Sequence, residues 1–153
     1  MKIALGSDHR GFALKSRLVK SLSEAGHEIM DLGCASADSC DYPDFAFAVG
    51  EAVVAGAADR GILVCGSGIG MSIAANKVPG VRAALCRTVE DARMTRRHND
   101  SNVLALSERS ADDPCTDELV KTWLDTDFEG GRHARRVDRI MSYEARAAKR
   151  PGR

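Results

Sequence analysis

This chain has no excess of charge of either sign: 22 Lys and Arg balance 22 Asp and Glu. Neither nucleic acid nor an anionic membrane is thereby indicated as its main partner. It has no apolar run that approaches a membrane span. Its opening, MKIALGSDHRG, reaches Gly and Asp too early for a secretory leader, so the expected location is the cytoplasm. Aromatic residues are few, at 5%. The five cysteines (Cys34, Cys40, Cys65, Cys86 and Cys115) are odd in number and have no CxxC spacing. That argues against a disulfide framework or a zinc cluster and leaves at least one thiol free. No internal repeat or low-complexity linker divides the chain. What remains, 153 residues at 44% apolar and 29% charged, fits one globular domain with a core of its own.

Short apolar runs alternate with helix-period segments. KIAL (2–5), EIMDL (28–32), RGILVC (60–65), VRAALC (81–86) and NVLAL (102–106) read as strands. The third is continuously apolar, as a strand buried on both faces should be. Between Gly11 and Ala25, Leu14, Leu18 and Leu22 recur at helical spacing, with Val19 beside them and Gly26 as a stop. Pro43 suits the first turn of a helix running to about Ala55, with Asp41 as its cap. Helices are also expected at 69–76, 88–98, 115–125 and 132–148, the last with Val137, Ile140, Met141 and Glu144 on one side. Five strand–helix alternations predict a single-domain, Rossmann-like α/β/α sandwich with a five-stranded parallel sheet and C-terminal helices. The domain is read as 1–148 and the basic KRPGR at 149–153 as a disordered tail. Ligands of such sheets bind at the carboxyl ends of the strands. That directs attention to GSDHRG, DYPD and CGSGIG.

In ILVCGSGIGMSIAANK (62–77), Cys65 ends a strand and three glycines follow before a helix begins. Amides leading into a helix N-terminus concentrate positive partial charge. Such a setting lowers a thiol's pKa and makes it a usable base or nucleophile, while the same amides can hold an oxyanion. Equally, Cys65 can be a small buried hydrophobe and the glycines plain turn formers. GSGIG is not a dinucleotide fingerprint, since it follows the third strand and runs GxGxG, and Lys77 lies too far along for a Walker lysine. Cys86, at the end of another strand, reads as packing, and His27 as an ordinary turn histidine.

Taken together, GSDHRGF, DYPD, ILVCGSGIGMSIAANKVPGVRAALC, RRHNDSNVLAL and GGRHARRV resemble the type B ribose-5-phosphate isomerases. The wider family includes allose-6-phosphate, galactose-6-phosphate and tetrose-phosphate isomerases. The likeness spans about residues 1–145. It implies a metal-free aldose–ketose isomerisation through a cis-enediolate, with no cofactor and with Cys65 as the base at C2. Family members lacking this cysteine use a glutamate a few residues on; here that region holds Met71 and Ser72. The resemblance makes His98 the ring opener, helped by Asp8 or Asn99. The chemistry of a carbon acid gives the oxyanion to the amides of Gly66 to Gly70 with Ser67 nearby, while the resemblance assigns phosphate to His9, Arg109, Arg132 and Arg136, and sugar hydroxyls to Asp41 and Tyr42. A guanidinium fork suits phosphate oxygens. Arg135 and Arg139 read as solvated charges.

His98 falls between a helix and the following strand, at the end of a parallel sheet opposite the strand carboxyl ends. It is therefore expected to complete the site of a second subunit. The resemblance agrees, implying a homodimer with shared sites, open to pairing as a dimer of dimers. Two residues depart from the family pattern: Arg10 replaces a small or apolar residue, and Ser67 replaces a frequent threonine. The leading expectation is interconversion of ribose 5-phosphate and ribulose 5-phosphate. An allose 6-phosphate or tetrose-phosphate isomerase shares the chemistry. A non-catalytic sugar-phosphate-binding subunit and a dinucleotide-dependent oxidoreductase rank below.

Overall fold

The structure is a computed structural model that describes residues 1–149. The expected tail lies, beyond Lys149, outside the described residues. The elements are β1 (Lys2–Ser7), α1 (Phe12–Glu24), β2 (Glu28–Asp31), α2 (Tyr42–Val54), β3 (Arg60–Cys65), α3 (Ile69–Ala75), β4 (Ala83–Leu85), α4 (Val89–Asn99), β5 (Val103–Ser107), α5 (Thr116–Asp125) and α6 (Arg132–Ala148). A single 3-10 turn, Glu108–Ser110, follows β5. The five strands form one parallel sheet in the order β2-β1-β3-β5-β4, as the alternation predicts.

Strand periodicity divides the core. Ile3, Leu5, Ile62, Val64, Leu104 and Leu106 face α1 and α5, where they pack with Leu14, Leu18, Leu119 and Trp123. Ala4, Leu63, Cys65 and Val103 face the other way, toward α2 and α3, and pack with Ala46, Val49, Met71 and Ala75. Burial on both sides explains why these strands read as unbroken apolar runs. Cys86 lies in the first of these layers, and burial pushes its thiol up to about 12, as befits a packing residue.

Some expected boundaries move for local reasons. The fourth strand is shorter than VRAALC suggests, because the Arg82 amide donates to Asn102 Oδ1 (2.7 Å) and its guanidinium to Asp100. Asp41 does sit at the N-cap of α2 but makes no side-chain capping hydrogen bond. Thr88 does the capping for α4, in a reciprocal box with Asp91. On α6 only His133 and Val137 are buried, while Ile140 stands exposed beside Tyr143.

From β1 the chain moves to one side of the sheet and from β3 to the other. The loops after these adjacent strands therefore part, leaving a crevice at the carboxyl edge. GSDHRG and CGSGIG flank that crevice.

Candidate active site

Cys65 is the last residue of β3, opposite Ser107 of β5, and only 5% of it is exposed. The chain then turns through Gly68, whose φ of +76° is natural to glycine alone. This turn aims the Gly68 amide at Sγ of Cys65, 3.1 Å away. A Cβ on Gly68 would lie 2.5 Å from Leu85 Cδ1 and 3.0 Å from the Leu106 carbonyl carbon, so the turn tolerates no side chain there. At Gly70 the neighbour is the Tyr42 ring, whose Cζ would be 2.8 Å from a Cβ. Ser67 is exposed at the tip, its Oγ accepting from the Ile69 amide at 3.3 Å.

The neighbouring loops converge on this turn. One carboxylate oxygen of Asp8 accepts from the Gly11 amide at 2.9 Å, which shapes the loop after β1. Nδ1 of His9 accepts from the Cys40 amide at 3.3 Å, which leaves Nε2 free to face the crevice as a donor. Arg10 reaches across to Glu108, Nε donating to Oε1 at 2.9 Å. Its Nε lies 3.2 Å from where a Cβ of Gly66 would stand, so the guanidinium arm roofs the turn. The pairing raises the Arg10 guanidinium and holds the Glu108 carboxyl below its usual range. Ser107 Oγ donates to the Gly66 carbonyl at 2.9 Å and accepts from the Arg109 amide at 3.2 Å. Ser67, Arg87, Ser107, Arg109 and Ser110 line a cleft of 370 Å³. Asp41 and Tyr42 are both exposed, and Asp41, having no capping bond, keeps its carboxylate available.

A second group lies at the opposite edge of the sheet. His98, in the last turn of α4, stacks on His133 of α6 with ring centroids 4.0 Å apart and planes 3° from parallel. Its Nε2 is 3.8 Å from Glu129 Oε2. Arg132 Nε donates to His133 Nε2 at 3.2 Å. Burial, then the nearby His98 and Arg132, hold the His133 imidazole below its usual pKa. Arg136 follows one turn along α6, close enough to add to that effect. Asn99 ends α4, and Asp100 beyond it takes a left-handed conformation (φ 46°) fixed by Arg96 at 2.8 Å and Arg82 at 3.0 Å. The ligand atoms of His98, Glu129 and His133 lie within 4.8 Å of one another. Arg97, paired with Glu129, and Arg132 make that neighbourhood better suited to an anion than to a metal ion.

One chain therefore brings together Cys65, Ser67, Gly66, Gly70, Asp8, His9, Asp41, Tyr42 and Arg109. It holds His98, Asn99, Arg132 and Arg136 apart. The length of β5, about 13 Å of strand, separates the level of Ser107 and Cys65 from the edge where α4 delivers His98. Arg87, Ser107 and Glu108 enter the first group, and Glu129 and His133 the second, without having been singled out in the sequence. Only His133 carried a signal, lying inside GGRHARRV.

Comparison with known proteins gives the chain's family. The profile of the family described as Ribose/Galactose Isomerase matches residues 3–140. Ribose-5-phosphate isomerase B of Escherichia coli is 46% identical over 145 residues, covering 95% of this chain and 97% of that protein. The structure of ribose-5-phosphate isomerase B of Clostridium thermocellum superposes with a TM-score of 0.94 at 50% identity, covering 96% of this chain and 99% of that one. That of Mycoplasma genitalium, solved with bound ribulose-5-phosphate, gives 0.89 at 42% identity, covering 94% and 96%. Similarity of this strength, over nearly the full length of each protein, settles the ancestry: the chain belongs to the ribose/galactose isomerase family.

Proposed function

We propose that this protein interconverts ribose 5-phosphate and ribulose 5-phosphate through a cis-enediolate, with Cys65 as the base. The observation that carries the reading is the turn after β3, where the Gly68 amide contacts Cys65 Sγ at 3.1 Å inside an isomerase fold. A carbon acid beside a carbonyl needs a base and, on the other side, donors for the oxygen that gains charge. Cys65 removes the C2 proton and returns it to C1. The amides of the Gly66 to Gly70 turn not engaged by Cys65 and Ser67, those of Gly66, Ser67 and Gly70, receive the enediolate oxygen with the Ser67 hydroxyl. His9 and Arg109 hold phosphate at the carboxyl edge, and Asp41 and Tyr42 meet the sugar hydroxyls.

His98 opens the sugar ring, assisted by Asn99 or Asp8, and Arg132 and Arg136 reinforce the phosphate site. These residues serve the Cys65 site of a second copy in a homodimer. Two features support that arrangement. His98 and Cys65 belong to opposite edges of one sheet, and the α3 helix beside the Cys65 turn leaves Ile69 (47%) and Ile73 (57%) exposed on a single face. The described residues include no helix long and apolar enough to cross a membrane, which is consistent with the cytoplasmic location expected of a sugar-phosphate enzyme.

The deciding measurement is kcat/KM across four-, five- and six-carbon aldose phosphates under one set of conditions. Ribose 5-phosphate is expected to rank first. A six-carbon aldose phosphate ranking first would change the substrate and keep the chemistry. Binding without turnover of any member would leave a sugar-phosphate-binding subunit.

A further inference from the structure

Two thiols meet in the loop between β2 and α2, although their spacing in sequence gave no sign of it. Sγ of Cys40 lies 3.3 Å from Sγ of Cys34 and donates to it. Sγ of Cys34 in turn donates to the Ser36 carbonyl at 2.6 Å. The pair lines a cleft of 580 Å³ with Ser36, Asp38, Ser39 and Phe45. Cys40 is half-buried and Cys34 buried.

The backbone is held on either side of the pair, but unequally. Nζ of Lys15, a residue only 2% exposed, donates to both oxygens of Asp31 (2.6 and 2.7 Å), to the Gly33 carbonyl (2.5 Å) and to the Cys34 carbonyl (3.1 Å). The Cys40 amide donates to Nδ1 of His9 at 3.3 Å. The next two residues, Asp41 and Tyr42, begin α2.

We propose that Cys34 and Cys40 are a redox modification site, which an oxidant of the peroxide class converts to a disulfide that disturbs His9. The second half of this statement rests on the isomerase reading above; formation of the bond does not. The Cys40 sulfur, the more accessible, gives up its proton and attacks one peroxide oxygen. The O–O bond breaks, Cys40 becomes a sulfenic acid, and the departing hydroxide takes the proton to form water. The Cys34 sulfur then attacks the sulfenic sulfur, the S–O bond breaks, and a second water leaves with the Cys34 proton. Two thiols have lost two hydrogens and two electrons, and one peroxide has become two waters.

Burial and the hydrogen bond to Cys34 push the Cys40 thiol up from its ordinary value. A smaller thiolate fraction makes its reaction with peroxide slow.

A disulfide spans about 2.05 Å, so the sulfurs must approach by roughly 1.2 Å. The Lys15 ammonium, shared between the Asp31 carboxylate and the Gly33 and Cys34 carbonyls, holds the Cys34 side, so the movement falls on Cys40. His9 then loses its Nδ1 donor and its fixed orientation. Cys65, on β3, is untouched. The signature is a raised KM for the sugar phosphate at nearly constant kcat.

The test treats the full-length, reduced protein with hydrogen peroxide, blocks remaining thiols with iodoacetamide, and maps the digest by mass. Trypsin leaves Cys34 and Cys40 in one peptide, residues 21–60. That peptide should be two hydrogens lighter and unalkylated, and dithiothreitol should restore it. The KM for ribose 5-phosphate should rise about five-fold on oxidation, the cost of one lost hydrogen bond, and return on reduction. In Cys34→Ser, peroxide should leave KM at its reduced value. Alkylation of both thiols in peptide 21–60 after peroxide has oxidised Cys115 would overturn the site. A disulfide that forms with KM unchanged would overturn its link to His9. Oxidation at Cys65 shows as lost kcat, and inactive reduced protein would count against the isomerase reading alone, since the peptide mass needs no turnover.

Discussion

The Gly68 amide and the Cys65 sulfur are joined across the turn between β3 and α3, at 3.1 Å. The contact exists because Gly68 takes a positive φ that no side chain could share with Leu85 and Leu106 pressed against it. A strand end, a glycine turn and a helix start are thus assembled around one sulfur atom. Packing alone would not require an amide to be spent on a thiol; a base that must carry negative charge does use one.

Replacing that sulfur tests the assignment directly. Cys65→Ala should lower kcat by a factor of roughly 10²–10⁴, the usual contribution of a general base, while KM changes little. Exchange of the C2 hydrogen with solvent deuterium, followed by NMR, should stop. Because Cys65 borders the small-residue layer with Met71 and Ala75, alanine fits without disturbing the fold, and the melting temperature provides the control. Exchange at the wild-type rate would remove Cys65 from the chemistry.

The proposed ring-opening role of His98 is narrower, and the substrate can be chosen to expose it. His98→Ala should reduce kcat/KM on ring-forming ribose 5-phosphate by roughly a hundred-fold. A four-carbon aldose phosphate cannot close a ring through its phosphorylated oxygen, so its turnover should be nearly spared. The stacked His133 and the nearby Glu129 orient the His98 ring, so His133→Ala should reproduce part of the loss. Equal losses on both sugars would assign His98 to binding or structure.

Legibility in the sequence followed the range of the interactions. RGILVC coincides with β3, and the α6 range holds residue for residue, because local apolar period and turn residues decide such elements. The Cys65 turn was visible for the same reason, its glycines lying next to the residue they serve. Arg10 stood out as a departure, but its partner Glu108 lies 98 positions away, and no local pattern connects them. Cys34 and Cys40 meet in a loop held from other elements, by Lys15 at the Cys34 carbonyl and His9 at the Cys40 amide. Helical period grouped Ile140 with Val137 on one side of α6, but only Val137 of the two is buried, Ile140 being 55% exposed.

The Arg10–Glu108 pair should show itself through pH. Its carboxyl is held below the usual range by the Arg10 hydrogen bond, so the folded state binds this proton less readily than the unfolded chain. Its stabilisation is therefore complete above the ordinary carboxylate pKa and disappears as pH falls through the depressed folded value. Comparison of thermal melts of wild type and Glu108→Gln should give a small advantage to wild type at pH 7. That advantage should vanish on acidification through the pH range below about 4. Both side chains are solvent-accessible, so the gap should also shrink with added salt. A gap that persists in acid would mean that Glu108 acts by packing.

Whether two copies share each site is decided by complementation. Cys65→Ala and His98→Ala are each expected to be poor enzymes, for unrelated reasons. If Cys65 of one subunit works with His98 of the other, a mixed dimer has one site with both residues intact and one with both missing. Random reassortment makes half the dimers mixed, so co-refolded equimolar variants should recover about a quarter of wild-type activity on ribose 5-phosphate. Were both residues of a site to come from one chain, every site in every dimer would carry one lesion and no activity would return. The separation of His98 from Cys65 by the length of β5 leads us to expect the first outcome, and exposed Ile69 and Ile73 beside the Cys65 turn offer an apolar face on which a second copy could close.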